Sequence, residues 1–394
     1  MRTGDKERFD RQLHIAGWRQ DRLSGSHVMV IGAGALGNEV VKNLALTGIG
    51  NVLIVDFDRI ETSNLSRTVL FSESDVGNHK AETLARACKR LYPAINVSYI
   101  NGDIMYDIGL GFYREADLVI GCLDNIAARS QASTCAALAG TPYLDTGVWS
   151  YGGELKWFFP ENSACFECSM SEKDKTDIVT RYSCTGFKAA GNRNVNINIP
   201  TTLAPAAIIG GMAVQEVCHY LSGTRVISPG HAIVYNGLEP SLHISLLPLE
   251  PSCRNHENGP YENIIKLPCS AADTSVMKIL EIAAETLGED VTLELGRDFL
   301  SGLYCRRCDE YEIVNQPISR VTEEKSFCPA CKKKRERNVI TSLMMKDAAS
   351  TEMLITLGIS RGDILLIHSP AGMGFYQLDA DVQATVHRQS SHCQ

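Results

Sequence analysis

Long apolar runs are missing from this 394-residue chain. No stretch of about 18 apolar residues occurs, which excludes a membrane-spanning helix. The opening residues, MRTGDKERFDRQ, are charged throughout and lack a signal-peptide core, so a cytoplasmic protein is expected. Positive charge is not in excess either. The formal net charge of -8 offers no general attraction to nucleic acid or to an anionic membrane. Low-complexity tracts are absent, and glycine and proline are unexceptional, so a packed globular protein follows. A G-x-x-x-x-G-K-[ST] loop is also absent, so ordinary γ-phosphoryl chemistry is not indicated.

What is present alternates in the α/β manner. A helical pattern over Glu7 to Leu23 precedes a strand at 28–31, and a glycine turn leads into a helix ending at Gly48. Strand Val52–Val55, helix Lys80–Leu91, strands Val97–Ile100 and Leu118–Ile120, helix Ala127–Leu138 and strand Tyr143–Leu144 follow. This predicts a doubly wound, Rossmann-like parallel sheet. Ligands of such sheets bind outside the carboxyl ends of the strands. Gly32, Gly34, Gly37, Asp56, Asp58 and Asp124 all fall just past strand ends, so one crevice should gather them. A polar stretch rich in glycine and asparagine then runs to Asn198, long enough to be functional or mobile. A helix at Ala204–Leu221 and strands near 232–235 and 242–248 complete this part. The character changes at PSCRNHENGP. The expected division is therefore residues 1–258, with a long loop at about 169–199, and a smaller α+β domain at 259–394.

Residues 28–41, VMVIGAGALGNEVV, place Gly32-x-Gly34-x-x-Gly37 between a strand and a helix whose free N–H groups favour a phosphate. Asp56, 19 residues past Gly37, suits ribose hydroxyls. Taken alone, these features fit NAD or an adenosine nucleotide equally. The segment DFDRIETSNLSR adds Asp58, Asn64 and Arg67, and Lys80 opens the next helix. Hydride transfer needs no such cations. A triphosphate attacked at its α-phosphorus does, because charge on the β and γ groups must be neutralised. Asp124, in CLDN, suits a Mg²⁺ ion bridging those oxygens.

In this order RFDRQ, GAGALG, DFDRIETSNLSR, VGNHK and CLDNIAAR resemble the ThiF/MoeB/HesA group of ubiquitin-activating-type adenylating enzymes, over roughly residues 7–256. The resemblance implies ATP- and Mg²⁺-dependent adenylation of the C-terminal glycine of a ubiquitin-like protein. It assigns Asp56 to ribose, Asn64, Arg67 and Lys80 to phosphates, and Asp124 to Mg²⁺. Arg11 matches a finger that family dimers insert into the partner's ATP site, which implies a homodimer. The rival readings are a sulfur-carrier activator of the molybdopterin or thiamin type, a peptide-adenylating enzyme, and an NAD-dependent oxidoreductase or non-catalytic scaffold.

Fourteen cysteines are many for such a chain, but seven fall into short pairings. Cys305-x-x-Cys308 and Cys328-x-x-Cys331 have zinc-ribbon spacing, with all four ligand positions filled, so a structural ion is expected. Cys165-x-x-Cys168 and Cys253-x-x-His256 are each the right span to bite one tetrahedral ion. In the resembled family, paired CxxC motifs at these places bind zinc; here His256 stands where a fourth cysteine is usual. Two structural Zn²⁺ sites are expected. The basic run Lys332 to Arg335 is read as a solvated knuckle rim, with no nucleic-acid partner.

Of the other cysteines, Cys88, Cys135 and Cys218 fall in helical patterns and Cys122 at a strand end, which favours buried packing. Cys269 and Cys393 have no recognisable setting. Cys184 lies in the polar loop between Arg181 and Lys188, and nearby cations lower a thiol's pKa. It matches the family's crossover loop, where thioester cysteines occur, although many relatives carry theirs a few residues before a proline matching Pro200. The expectation is a thioester on Cys184 and transfer to a conjugating enzyme. The extension beyond residue 258 reads as a docking module. It is similar to activating proteins of bacterial ubiquitin-like conjugation operons, some of which act in antiviral defence.

Overall fold

The computed structural model describes residues 3–160, 163–171, 201–224, 226, 229–256, 259–318 and 321–379. Eight strands form the first sheet: β1 (His27–Ile31), β2 (Asn51–Val55), β3 (Asn96–Ile100), β4 (Leu118–Gly121), β5 (Tyr143–Trp149), β6 (Gly152–Phe158), β7 (His231–Asn236) and β8 (Ser241–Leu246). Their spatial order is β3-β2-β1-β4-β5-β6-β7-β8. The first five run parallel, whereas β6, β7 and β8 are each antiparallel to the strand before. The strands expected to run parallel, β1 to β5, do so, and the antiparallel β6 to β8 extend them into a mixed sheet.

Alternation along β1 explains the two layers. Val28 and Val30 face a core shared with Val40, Leu44, Leu84, Ile209 and Val217, from helices Ala35–Thr47, Lys80–Leu91 and Leu203–Ser222. Met29 and Ile31 face the other core, with Phe112 and Tyr113 of helix Leu110–Arg114 and Ala128, Ala132 and Ala136 of helix Ile126–Ala139. A strand buried on both faces must be apolar at every position, which is how VMVI reads.

The single helix expected over Glu7 to Leu23 is instead three: Thr3–Arg8, Asp10–Leu13 and Gln20–Gly25. Tertiary contacts override the pattern. Phe9 leaves helical geometry to pack edge-on against Tyr92, with ring centroids 5.5 Å apart. Gln20 is buried, and its amide donates to the Thr47 carbonyl at 3.1 Å.

A second sheet comprises β9 (Ile265–Lys266), β10 (Thr292–Cys305), β11 (Glu310–Pro317), β12 (Glu336–Met344), β13 (Ile364–Ser369) and β14 (Gly372–Gln377). The order is β11-β10-β13-β14-β9, and β12 also pairs with β10. Helix Val276–Leu287 buries Val276, Ile279, Leu280 and Ala283 against Leu293, Phe299, Leu365 and Ile367 of this sheet. Strand β10 runs 14 residues, beginning beside β13 and ending at Cys305, so the arm bearing the ribbon cysteines continues the sheet. Among the described residues, no helix is long and apolar enough to cross a membrane.

Candidate nucleotide crevice and metal centres

The glycine turn shows three different reasons for glycine. Gly32 has φ +99°, and a Cβ there would lie 2.4 Å from the Cys122 carbonyl oxygen. A Cβ on Gly37 would lie 2.0 Å from the Gly32 oxygen, so helix Ala35–Thr47 can approach β1 only through a glycine. At Gly34, by contrast, a Cβ would meet nothing within 4 Å. The protein itself leaves that position open, where the second glycine of such a turn allows a phosphate to approach.

Asp56, and through it Asp58 and Lys80, are joined to this turn by hydrogen bonds. Ala33 N–H donates to Asp56 Oδ2 and Asp58 N–H to Asp56 Oδ1, both at 2.7 Å. Lys80 Nζ donates to Asp58 Oδ2 at 2.7 Å, with the lysine side chain only 13% exposed. Burial pushes the Asp56 carboxyl up to about 6, against the opposing pull of Lys80 and the two N–H donors. Asn64 is buried in the turn Thr62–Asn64, its Oδ1 accepting from Glu61 N–H at 3.0 Å. Arg67 follows it and donates to the Ser63 carbonyl at 2.8 Å. Asp124 is exposed three residues past β4, and its carboxylate bonds no described residue.

Asn38 was missed. It is fully buried, donates to the Ala33 and Gly34 carbonyls, and accepts from Leu70 N–H at 3.1 Å. It therefore clamps the glycine turn to the segment bearing Asn64 and Arg67. A polar residue inside an apolar helix pattern was the available signal. Arg129 was missed as well. It binds Asp145 with two hydrogen bonds, at 3.0 and 2.5 Å, and reaches Glu154 at 3.0 Å, joining helix Ile126–Ala139 to β5 and β6.

Arg11 does not join the crevice. It is exposed on helix Asp10–Leu13, and the neighbouring Gln12 donates to the Thr47 carbonyl at 2.9 Å. Thr47 ends the 13-residue helix that begins beside Gly34, so Arg11 lies about 20 Å from the turn at 1.5 Å per residue. Cys184 and most of the stretch 169–199 lie outside the described residues. Cys88, Cys122, Cys135 and Cys218 fit packing, and Cys393 lies outside the described residues. Burial pushes Cys88 and Cys122 up to about 12 and Cys218 up to about 11, far from a reactive thiolate. Cys135 is also buried.

Two clusters have metal-ligand geometry, and within each all four ligand atoms lie within 4.8 Å of one another. In the first, Cys165 Sγ is 3.7 Å from Cys168 Sγ and 3.6 Å from Cys253 Sγ, and Cys168 Sγ is 3.1 Å from His256 Nε2. In the second, Cys305 and Cys331 are 3.6 Å apart, and Cys308 and Cys328 3.9 Å. A tetrahedral ion with metal–sulfur bonds of about 2.3 Å has sulfur–sulfur edges of about 3.8 Å, so both sets fit zinc. Burial raises the Cys165 thiol, a penalty that a bound cation removes by holding the thiolate. The first centre is fastened to helix Ile126–Ala139, because Ser130 donates to Glu167 at 2.8 Å and Asn255 donates to Thr134 at 2.9 Å.

Residues 9–255 match the model of the ThiF family. Over 149 residues, 38% of this chain and 22% of the relative, identity to SUMO-activating enzyme subunit 2 of Dictyostelium discoideum is 33%. The corresponding share of SUMO-activating enzyme subunit uba-2 of Caenorhabditis elegans is 26%, so the chain spans about a quarter of these curated relatives. Over 255 residues, 63% of this chain and 89% of the relative, identity to the sulfur carrier protein adenylyltransferase of Thermus thermophilus is 28%. The crystal structure of E. coli MccB with ATP aligns with a TM-score of 0.50 and 25% identity, covering 60% of this chain and 68% of that one. Because the family match runs from Phe9 through the whole crevice to Asn255, the chain belongs to the ThiF family.

Proposed function

We propose that this chain uses ATP to adenylate the C-terminal glycine of a ubiquitin-like protein, then carries the acyl group on Cys184 to a conjugating enzyme. The observation that carries the reading is the crevice: an open Gly34 beside Asp56, which is tied through Asp58 to Lys80, in a sequence with no γ-phosphate loop. Backbone N–H groups of the turn would cradle phosphate, Asp56 would take the ribose hydroxyls, and Asn64, Arg67 and Lys80 would hold the β and γ groups. Asp124 would ligate Mg²⁺, which when bound neutralises charge on the phosphate oxygens. The substrate carboxylate oxygen then bonds to the α-phosphorus as pyrophosphate leaves. Attack of the Cys184 thiolate on the acyl carbon forms the C–S bond and releases AMP.

Two further parts belong to the proposal. Since Arg11 is held about 20 Å from its own glycine turn, it would serve the crevice of a second copy in a homodimer. Residues 1–258 would form the adenylation domain and 259–394 a docking domain, a division supported by the two separate sheets. A second reading, adenylation of a sulfur carrier without an obligatory thioester, is favoured by coverage of 89% of the Thermus thermophilus relative.

Intact mass spectrometry without thiol reductant tests both. The protein and its Cys184→Ala variant are mixed with MgATP and a glycine-terminated ubiquitin-like protein encoded beside its gene. A thiol-labile adduct on the parent alone supports the thioester. Adenylated partner with no adduct on either supports the sulfur-carrier reading, and absence of any adenylate overturns both.

A further inference from the structure

Residues 360–363 lie beyond the family match, yet they contact the segment that follows β3, the strand next to Asp56. Asp56 N–H donates to the carbonyl of Ile100, the last residue of β3, at 3.2 Å. From Ile100 the chain runs through 101–109 into helix Leu110–Arg114. That helix begins at Gly109, which has no side chain to cap it. The acceptor comes instead from the residue just before β13. Asp363 Oδ1 accepts from Leu110 N–H at 3.3 Å and from Ile364 N–H at 3.0 Å. Beside it, Gly111 N–H donates to the Gly362 carbonyl at 2.8 Å, and the Ser360 hydroxyl donates to the Tyr106 carbonyl at 2.7 Å.

The sequence GLG at 109–111 is shaped for this contact. A Cβ on Gly109 would lie 2.4 Å from the Asp363 nitrogen, and one on Gly111 would lie 2.3 Å from the Gly362 oxygen. On its inner side the same segment buries Ile104 and Ile108 in the core that contains Ile31 and Val55. Those two residues immediately precede Gly32 and Asp56.

We propose that Asp363 is a positioning residue for nucleotide binding: by capping helix Leu110–Arg114 from outside the family unit, it holds the 101–109 segment and with it the Asp56 side of the crevice. Without the cap, this segment samples more conformations, and binding ATP must order it. The inference rests on the adenylation reading only in requiring that the crevice bind ATP.

The test is isothermal titration of full-length protein with MgATP, alongside amide exchange over 101–114, for the parent, Asp363→Ala and Asp363→Asn. Asparagine keeps the Oδ1 acceptor. The expected result is an ATP Kd raised about fivefold or more in the alanine variant, faster exchange over 101–114, and recovery in the asparagine variant. A merely structural role would lower the melting temperature without changing the Kd of the folded protein. Equal Kd values for parent and Asp363→Ala, or an asparagine variant as weak as alanine, overturn the inference. Should Asp363→Ala fail to fold, Ser360→Ala decides: a weaker Kd supports the brace and an unchanged one overturns it. Failure of the parent to bind ATP overturns the proposed function instead.

Discussion

The cluster of Cys165, Cys168, Cys253 and His256 lies against helix Ile126–Ala139, beside a core that includes Phe112, Tyr143, Phe158 and Phe166. The cluster of Cys305, Cys308, Cys328 and Cys331 terminates an arm whose buried apolar cluster, among the described residues, is Leu300, Leu303 and Val321. Sulfur–sulfur distances are nearly the same in both, so site geometry does not distinguish them. What differs is the amount of packing that would survive without it. An ion at the first centre closes a structure already held by apolar contact; at the second it replaces the core.

The sharpest test of that contrast removes one ligand from each. Cys328→Ser should abolish one zinc ion per chain and most of the arm's order, since a structural zinc can contribute about 10 kcal/mol or more. Amide exchange in β11 and metal content by atomic absorption would report it. Cys253→Ser should also lose an ion, yet cost only about 3 kcal/mol and leave one cooperative melt, because Phe166 and helix Ile126–Ala139 stay packed. Equal collapse in the two variants would break the comparison.

The crevice offers a second contrast within the well-packed part. Gly37→Ala forces a Cβ against the Gly32 oxygen and should cost about 1–3 kcal/mol of stability. Gly34→Ala meets nothing, so its stability should change by less than about 0.5 kcal/mol while ATP binding weakens. A melt and a titration for each variant separate packing from function.

Asp56 gives a smaller, pH-dependent effect. Its folded pKa of about 6 lies above the ordinary 3.8, so between these values the folded protein binds more protons than the unfolded chain. Its contribution to apo stability therefore falls as pH rises from about 4 to about 6, and the full penalty is present at pH 7. Asp56→Asn should raise the apo melting temperature at pH 7 and flatten its pH profile between about pH 4 and 6. ATP affinity of the parent should decline below about pH 6, as the carboxylate that accepts ribose hydroxyls is protonated. The least effect is expected on the arm's surface. Arg306 and Glu336 pair at 2.5 Å, but their side chains are 78% and 49% exposed, so Arg306→Ala should cost under about 1 kcal/mol once the zinc is bound.

Much of the crevice was legible because its signals are local. Helix Lys80–Leu91 has the boundaries read from its apolar spacing, and strands β1 to β4 lie within a residue of the expected runs. Glycines at 32 and 37 answer to contacts a few residues away or in the neighbouring strand. The antiparallel β6 was not legible, since its apolar residues meet helix Leu203–Ser222, distant in the chain. Neither was the break at Phe9, which depends on Tyr92 some eighty residues later.

By itself the sequence determined the strand–turn–helix elements, the bite of each cysteine pair and the placing of charged residues past strand ends, because periodicity, turn chemistry and ligand spacing act over a few residues. Only tertiary structure decided that Cys165 and Cys253 share one ion site, that Asn38 clamps the glycine turn, and that Asp363 caps a helix 253 residues earlier in the chain. Those contacts join segments far apart in the chain, so the partner of each group is set by how the elements pack rather than by its neighbours in sequence.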